Sequence, residues 1–229
     1  LKRKGIAAFT DGIKTVQDPQ LMSRIMSFAS QSNSLIMQHA EDNILSKGGL
    51  INDGEISTRL GLQGIPSLAE RIIVERDLSF LEEYFCRYHI SQVSSEKTIA
   101  IIKKAKNEGK IFSAGVSINN LSLNENDIGD FKTFLKISPP LRLENDRVAL
   151  VSGIRSGLID VIVSDQQGNS STLQAGEMGF IKVNLKSSKL ISTLVTVNLF
   201  DSELTSMGIG SEKSIRRIEG VPFLIVFKM

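Results

Sequence analysis

The chain has 229 residues, of which 41% are hydrophobic and 23% are charged, and its net charge is +2. This length and composition suit one globular domain with a sizeable core. A net charge this close to zero argues against nucleic acid or an anionic membrane as a partner. The single cysteine, Cys86, excludes an internal disulfide framework and fits a reducing cytoplasm, where we expect the protein to reside. No apolar run approaches the ~18 residues that a membrane span needs.

The first half of the chain alternates strand and helix patterns. Asp18 followed by Pro19 is a common helix start, because aspartate caps free backbone N–H groups and proline suits the first turn. Short apolar runs that end in polar clusters predict strands. In chain order we predict a strand at 5–10, a helix from Pro19, a strand at 34–38, a long loop at 43–64 with a short helix near 55–60, a helix at 66–84 and a strand at 86–90.

The second half continues the alternation as far as residue 165. In chain order we predict a helix at 96–108 capped by Ser95, a strand at 111–116, an asparagine-rich loop at 119–126, a buried strand at 134–137, a proline-stiffened loop at 138–142, a helix at 145–156 and a strand at 159–165. Beyond it we predict a loop at 166–178, partly helical structure at 186–207 and a strand at 220–227. The β-branched run at 193–197 leaves its conformation ambiguous.

Five strand–helix alternations predict parallel βαβ units. Such units build either an open doubly wound sheet or most of a β/α barrel. Three features favour the barrel: each apolar run ends in a polar cluster, the repeat length is typical of barrels, and no glycine-rich phosphate turn follows the first strand. The functional site is then expected where the strands end.

The two histidines, His39 and His89, both lie at predicted carboxyl ends of strands. Two histidines and an aspartate from different strands could form a zinc site, although buried, hydrogen-bonded histidines would give the same pattern. Asp165 ends the strand at 159–165 and is the strongest single candidate for a metal ligand and general base. A helix cap or a loop hydrogen bond is its alternative role.

Arg142, at the end of the proline-stiffened loop, has two possible roles. Its guanidinium group could bind a substrate carboxylate through two parallel hydrogen bonds, or it could pair with Glu144 or Asp146.

Six segments in uninterrupted order resemble the dihydroorotase family of the amidohydrolase superfamily. They are residues 8–12, 39–42, 60–70, 88–95, 134–142 and 157–165. The resemblance implies an α/β fold, a (β/α)8 TIM-type barrel of the amidohydrolase kind, whose first strands would lie upstream of Leu1. It further implies a partial metallo-dependent-hydrolase barrel at 1–207 and a segment at 208–229 that returns to a small β-domain.

The resemblance also assigns roles to individual residues. His39 matches a metal-ligand histidine, Asp165 matches the catalytic aspartate that also binds metal, and Asp11 falls in the loop of the bridging metal ligand. Gln92 stands where the family has a ligand histidine, so this position is degenerate. Three residues match substrate-binding positions: Asn119, Ser138 and Arg142. Ser138 and Gln166 replace the asparagine and histidine that are usual there.

These departures leave two main functions open, besides a third in which the protein binds a small molecule at the mouth of the barrel. The first is a catalytically impaired dihydroorotase-like protein of pyrimidine biosynthesis that serves as a structural partner of aspartate transcarbamoylase and binds no metal. The second is an active zinc-dependent cyclic-amide hydrolase that interconverts dihydroorotate and N-carbamoyl-aspartate, with its missing ligands upstream of Leu1. In either case we expect a homo-oligomer.

Overall fold

The computed structural model describes residues 8–163 and three further strands at 181–186, 194–199 and 225–226. Its ten strands, β1 to β10, are Ala8–Phe9, Leu35–Gln38, Ile51–Asn52, Gly64–Ile65, Arg87–Ile90, Ser113–Ser117, Val161–Val163, Ile181–Lys186, Leu194–Leu199 and Ile225–Val226. The α-helices in this part of the chain, α1 to α6, are Pro19–Ser32, Glu55–Leu60, Ser67–Glu83, Glu96–Asn107, Ile118–Ser122 and Glu144–Arg155.

The main sheet has six strands in the order β1-β2-β5-β6-β7-β10. Every neighbouring pair in it is parallel, which confirms the predicted α/β class with a parallel sheet. All six strands therefore end at the same edge, here called the carboxyl edge. A short parallel pair, β3–β4, and an antiparallel pair, β8–β9, lie outside the main sheet.

The helix starts follow from local capping chemistry. The Asp18 carboxylate accepts a hydrogen bond from the Gln20 backbone N–H at 2.8 Å, directly before Pro19. Ser95 Oγ accepts from the Thr98 N–H at 3.3 Å and begins α4. Both predicted starts are confirmed, since each side chain satisfies a backbone donor that the helix itself leaves free.

Two apolar clusters hold the fold together. The larger one joins the sheet to helices α1, α3, α4 and α6 and includes fully buried Met22, Met26 and Ile90. The smaller one lies under the loops of the carboxyl edge and consists of Ile51, Ile56, Leu123, Ile128 and Leu141. These loops consequently rest on a core of their own.

Two predicted elements are wrong. No strand forms at 134–137: Thr133–Leu135 is a 3-10 turn and Phe134 is 49% exposed, ahead of two prolines that cannot donate to a sheet. The asparagine-rich loop contains α5 and a 3-10 turn, because Ser117 and Asn124 act as N-caps. In the region 186–207, predicted to be partly helical with an ambiguous run at 193–197, that ambiguous run falls largely in strand β9, in keeping with its β-branched residues.

The long loop predicted at 43–64 also contains strand β3, and β4 begins at its end. Of the predicted C-terminal segment 208–229, the structure describes only β10, which pairs with β7. The division at residue 207 stays a prediction. Among the described residues, no helix is long and apolar enough to cross a membrane.

Candidate functional site

Several of the predicted site residues follow neighbouring strands at the carboxyl edge. His39 comes directly after β2, Gln92 lies two residues beyond β5, and Asn119 lies in α5 just beyond β6. All three side chains are buried. Since β2, β5 and β6 are adjacent in the sheet, the fold brings these positions to one edge.

His39, Ser138 and Glu41 form a hydrogen-bonded cluster. The Ser138 hydroxyl donates to Glu41 Oε2 at 3.2 Å, and its oxygen lies 3.1 Å from His39 Nε2. The direction of the hydrogen bond between His39 Nε2 and Ser138 Oγ depends on the tautomer of the imidazole ring. Burial raises the pKa of Glu41, but the interactions with His39, Ser46 and Ser138 outweigh it and lower that pKa below 4.5.

The backbone of this cluster is fixed by one buried threonine. Thr15 Oγ1 donates to the His39 carbonyl at 2.7 Å and accepts from the Glu41 N–H at 3.1 Å. Thr15 therefore holds the residues on both sides of Ala40 in place.

The carboxyl-edge loop, residues 138–142, connects the ends of three strands. Besides Ser138, which reaches His39 after β2, the Pro140 carbonyl accepts from Asn120 Nδ2 at 2.9 Å, beyond β6. Arg142 Nε donates to Ser94 Oγ at 3.2 Å, beyond β5. One short loop thus links positions that are far apart in the chain.

Arg142 anchors this loop from the interior. It is 4% exposed, and Nη1 donates to Asn52 Oδ1 at 2.8 Å and to the Ile65 carbonyl. Burial lowers the pKa of the guanidinium group, with the Glu70 charge opposing the shift. The hydrogen bonds of Arg142 therefore go to β3, β4 and the end of β5, and its role as a substrate clamp stays a prediction.

Two buried carboxylates accompany Arg142. Glu70 accepts from the Ser94 N–H through both oxygens, at 3.1 and 3.0 Å, and from the Ser94 hydroxyl. Glu125 Oε2 accepts from Asn52 Nδ2 at 2.6 Å. Sequence reasoning missed Asn52, Glu70 and Glu125. One signal could have found Glu70, because this glutamate lies among apolar residues in the first turns of α3.

Three buried amide atoms have no hydrogen-bond partner within the described part of the chain: Gln38 Nε2, Gln92 Oε1 and Asn120 Oδ1. All three residues lie at or just beyond the ends of strands. Buried polar atoms are rarely left unpaired, so each marks a place where further atoms would be stabilising.

Within the described part of the chain, His89 and Asp11 make no side-chain hydrogen bond to this cluster. His89 is buried, its Nδ1 lies 2.8 Å from Ser113 Oγ, and burial lowers its pKa below 6.5. Asp11 is exposed. Asp165 and Gln166 lie outside the described residues, so the roles predicted for them stay predictions.

The donor set of the described residues does not fit a zinc centre. These residues contain no group of three or more His, Cys, Asp or Glu side chains placed to hold a metal ion. An amide such as that of Gln92 is a poor zinc ligand beside imidazole.

Comparison with known proteins gives consistent likenesses in sequence. The model of the family described as dihydro-orotase-like matches residues 1–98. A dihydroorotase of Ehrlichia canis is 42% identical over 166 residues, which are 72% of this chain and 37% of that protein. A dihydroorotase of Desulforapulum autotrophicum is 33% identical over 219 residues, 94% of this chain and 50% of that one. The chain spans at most about half the length of these relatives.

Solved structures show a likeness in fold. The L-hydantoinase of Arthrobacter aurescens aligns with a TM-score of 0.55 at 21% identity, covering 68% of this chain and 36% of that one. The dihydroorotase of Saccharomyces cerevisiae, solved with 5-fluoroorotic acid, aligns with a TM-score of 0.51 at 20% identity, covering 68% and 44%. At these identities the likeness concerns the fold alone.

Proposed function

Because the chain belongs to the dihydroorotase family of the amidohydrolase superfamily, we propose that it is a dihydroorotase-like protein of pyrimidine biosynthesis without a working metal centre. The observation that carries this proposal is the donor set: the described residues contain no group of three or more His, Cys, Asp or Glu side chains placed to hold a metal ion. His39 Nε2 is hydrogen-bonded to Ser138 Oγ, and the Ser138 hydroxyl donates to Glu41 Oε2.

Neighbouring positions support the same proposal. Gln92 presents an amide in place of an imidazole, and its Oε1 is buried without a partner in the described structure. Losing even an outer-sphere partner of a metal ligand costs about 10–100-fold in metal affinity or activity, and losing a ligand costs more. A site changed at several positions would not retain a catalytic metal.

A protein of this kind would act through assembly. We propose aspartate transcarbamoylase as its partner, on the ground of the family resemblance. Co-purification of the two untagged proteins by size-exclusion chromatography tests this pairing: a shared peak supports it, and separate elution at micromolar concentrations contradicts it.

One observation favours a second function, the active cyclic-amide hydrolase. His39 Nε2 and Glu41 Oε2 lie 3.9 Å apart, and imidazole and carboxylate are both zinc ligands. With Ser138 rotated away, this pair could contribute to a metal site together with residues outside the described part. The reaction would add water across the ring amide bond of dihydroorotate and yield N-carbamoyl-aspartate.

Metal analysis and an activity assay on the purified protein separate the two functions. We expect substoichiometric zinc and no cyclisation of N-carbamoyl-aspartate, both before and after incubation with zinc. Stoichiometric zinc, together with turnover that Asp165→Asn abolishes, would overturn the non-catalytic proposal. Phe85→Asp, a change at an exposed position before β5, serves as the matched control.

A further inference from the structure

The cluster of His39, Ser138 and Glu41 contains two groups that can bind a divalent cation. His39 Nε2 and Glu41 Oε2 lie 3.9 Å apart, and in the described part of the chain this is the one histidine–carboxylate pair at such a distance. Two ligand atoms that share a tetrahedral zinc ion, each about 2.0–2.1 Å from it, are about 3.3–3.4 Å apart. A small rotation of either side chain would therefore let one cation reach both atoms.

The backbone on both sides of this pair is held in place. Thr15 Oγ1 donates to the His39 carbonyl at 2.7 Å and accepts from the Glu41 N–H at 3.1 Å. Gln17 Nε2 donates to the Glu41 carbonyl at 2.8 Å. The two metal-binding groups are thus kept next to each other by contacts that do not involve Ser138.

The Ser138 hydroxyl group lies where such a cation would bind. Its oxygen is 3.1 Å from His39 Nε2 and 3.2 Å from Glu41 Oε2. A hydrogen bond to a ring nitrogen lies near the direction in which that nitrogen would coordinate a metal. A zinc ion on this line, about 2.0–2.1 Å from the nitrogen, would lie only roughly 1 Å from the serine oxygen. The cation and the hydroxyl group therefore exclude each other.

This conclusion is the same for both tautomers of the imidazole ring. If His39 Nε2 carries the proton, it has no lone pair for a metal, and Glu41 accepts the hydroxyl proton of Ser138. If Nε2 is unprotonated, the hydroxyl proton engages either its lone pair or that of Glu41. We propose that Ser138 is the residue that keeps divalent cations away from His39 and Glu41, because its hydroxyl group takes the place that the cation would share between them.

This inference rests on the proposed function and deepens it. The proposed function states that no working metal centre is present, and the inference names a residue that prevents a metal from binding at His39. It has a positive consequence, since removal of one hydroxyl group should create a two-ligand zinc site. Its readout is zinc binding at one histidine, and it requires no turnover.

A zinc titration of the full chain, followed by nuclear magnetic resonance of ¹⁵N-labelled histidine side chains, tests the proposal. The chain contains only two histidines, so two sets of ring signals are expected, and His39→Gln assigns them. We expect Ser138→Ala to bind zinc at His39 about tenfold more tightly than the unaltered chain, or better, because a competing hydrogen bond to a charged group is removed. Ser138→Thr keeps the hydroxyl group and should not increase the affinity.

Ser113→Ala is the matched control. It removes the hydroxyl group that lies 2.8 Å from Nδ1 of the other histidine, His89, where no described carboxylate lies within ion-pair distance. We expect no zinc binding at His89. Adding Glu41→Gln to Ser138→Ala removes the second ligand and should abolish the gain. The thermal midpoint shows whether each variant is folded, and Ser138→Gly removes the same hydroxyl group if Ser138→Ala is not.

Equal zinc affinity of Ser138→Ala and the unaltered chain would overturn the proposal. Weaker binding by Ser138→Ala would also overturn it, because Ser138 would then itself be a ligand. An equal gain in Ser113→Ala would show that loss of any hydroxyl group beside a histidine has this effect, which again contradicts the proposal. Stoichiometric zinc in the unaltered chain refutes the proposed function as well, whereas a zinc-free unaltered chain without a gain in Ser138→Ala refutes this inference alone.

Discussion

Replacing Arg142 by methionine tests whether this residue holds the carboxyl-edge loop in place. The substitution keeps an unbranched apolar side chain and removes the guanidinium group. In the structure that group donates to Asn52 Oδ1, to the Ile65 carbonyl and to Ser94 Oγ. These contacts join the loop to β3, β4 and the end of β5.

The expected loss follows from the burial of Arg142. Hydrogen bonds to a charged group contribute about 1.5–3 kcal/mol each, but such values do not add. Removing one partner from a buried charged network typically costs about 3–5 kcal/mol, because the opposite charges stay behind. Glu70 and Glu125 would be those charges, both 4% exposed or less. We therefore expect Arg142→Met to lower the free energy of unfolding by about 3–5 kcal/mol.

Urea denaturation followed by circular dichroism measures this loss. Arg147→Met is the control, because Arg147 pairs with Glu144 at the surface and such pairs contribute about 0–1 kcal/mol. Adding Glu125→Gln to Arg142→Met removes one stranded charge and should recover part of the stability. If Arg142→Met costs no more than Arg147→Met, the buried guanidinium group does not anchor the loop and the reasoning fails.

Two further predictions concern buried titratable groups. Burial in the folded state lowers the pKa of His89, so the unfolded chain binds a proton at a higher pH than the folded chain does. The free energy of unfolding should therefore fall by up to about 1.4 kcal/mol per pH unit as the pH drops below 6.5. Urea unfolding at several pH values measures this slope; His89→Gln should flatten it, and an unchanged slope would contradict the assignment. Tyr88→Phe removes the hydroxyl that donates to Asp77 Oδ2 at 2.6 Å and should cost about 1–3 kcal/mol. Thermal unfolding measures this loss, and Tyr84→Phe, which removes a partly buried hydroxyl, is the control. Equal losses in the two variants would mean that the hydrogen bond to Asp77 stabilises the protein no more than that of Tyr84 does.

Local signals predicted much of the fold. Asp18 with Pro19, and Ser95, mark helix starts because their chemistry acts within one turn of the chain. The apolar runs before His39 and Ser91 predicted strands β2 and β5 for the same reason. The strand predicted at 134–137 failed because a strand needs a neighbour in the sheet, and an apolar run alone cannot reveal whether one is available.

The site was only partly predictable. His39, Gln92 and Ser138 could be proposed because they follow strand ends or match a family position. The network of Arg142 with Asn52 and Glu70 could not, because its members come from separate elements and their pairing depends on the folded arrangement. Proximity in sequence suggests Glu144 or Asp146 as alternative partners of Arg142, whereas its hydrogen bonds go to Asn52, Ile65 and Ser94.

The carboxyl-edge loop has a consequence for how the protein reaches this structure. Its contacts with His39 and Ser94 span 99 and 48 positions of the chain, and its contact with Asn120 spans 20. Contacts of such long sequence separation form late and slowly, because a long loop must close before they become favourable. During synthesis the ends of β2 and β5 would stay uncovered until residues 138–142 had emerged and folded back over them. The geometry around His39 is thus a late product of folding, and slowing the closure of this loop should delay it while leaving the helices formed earlier intact.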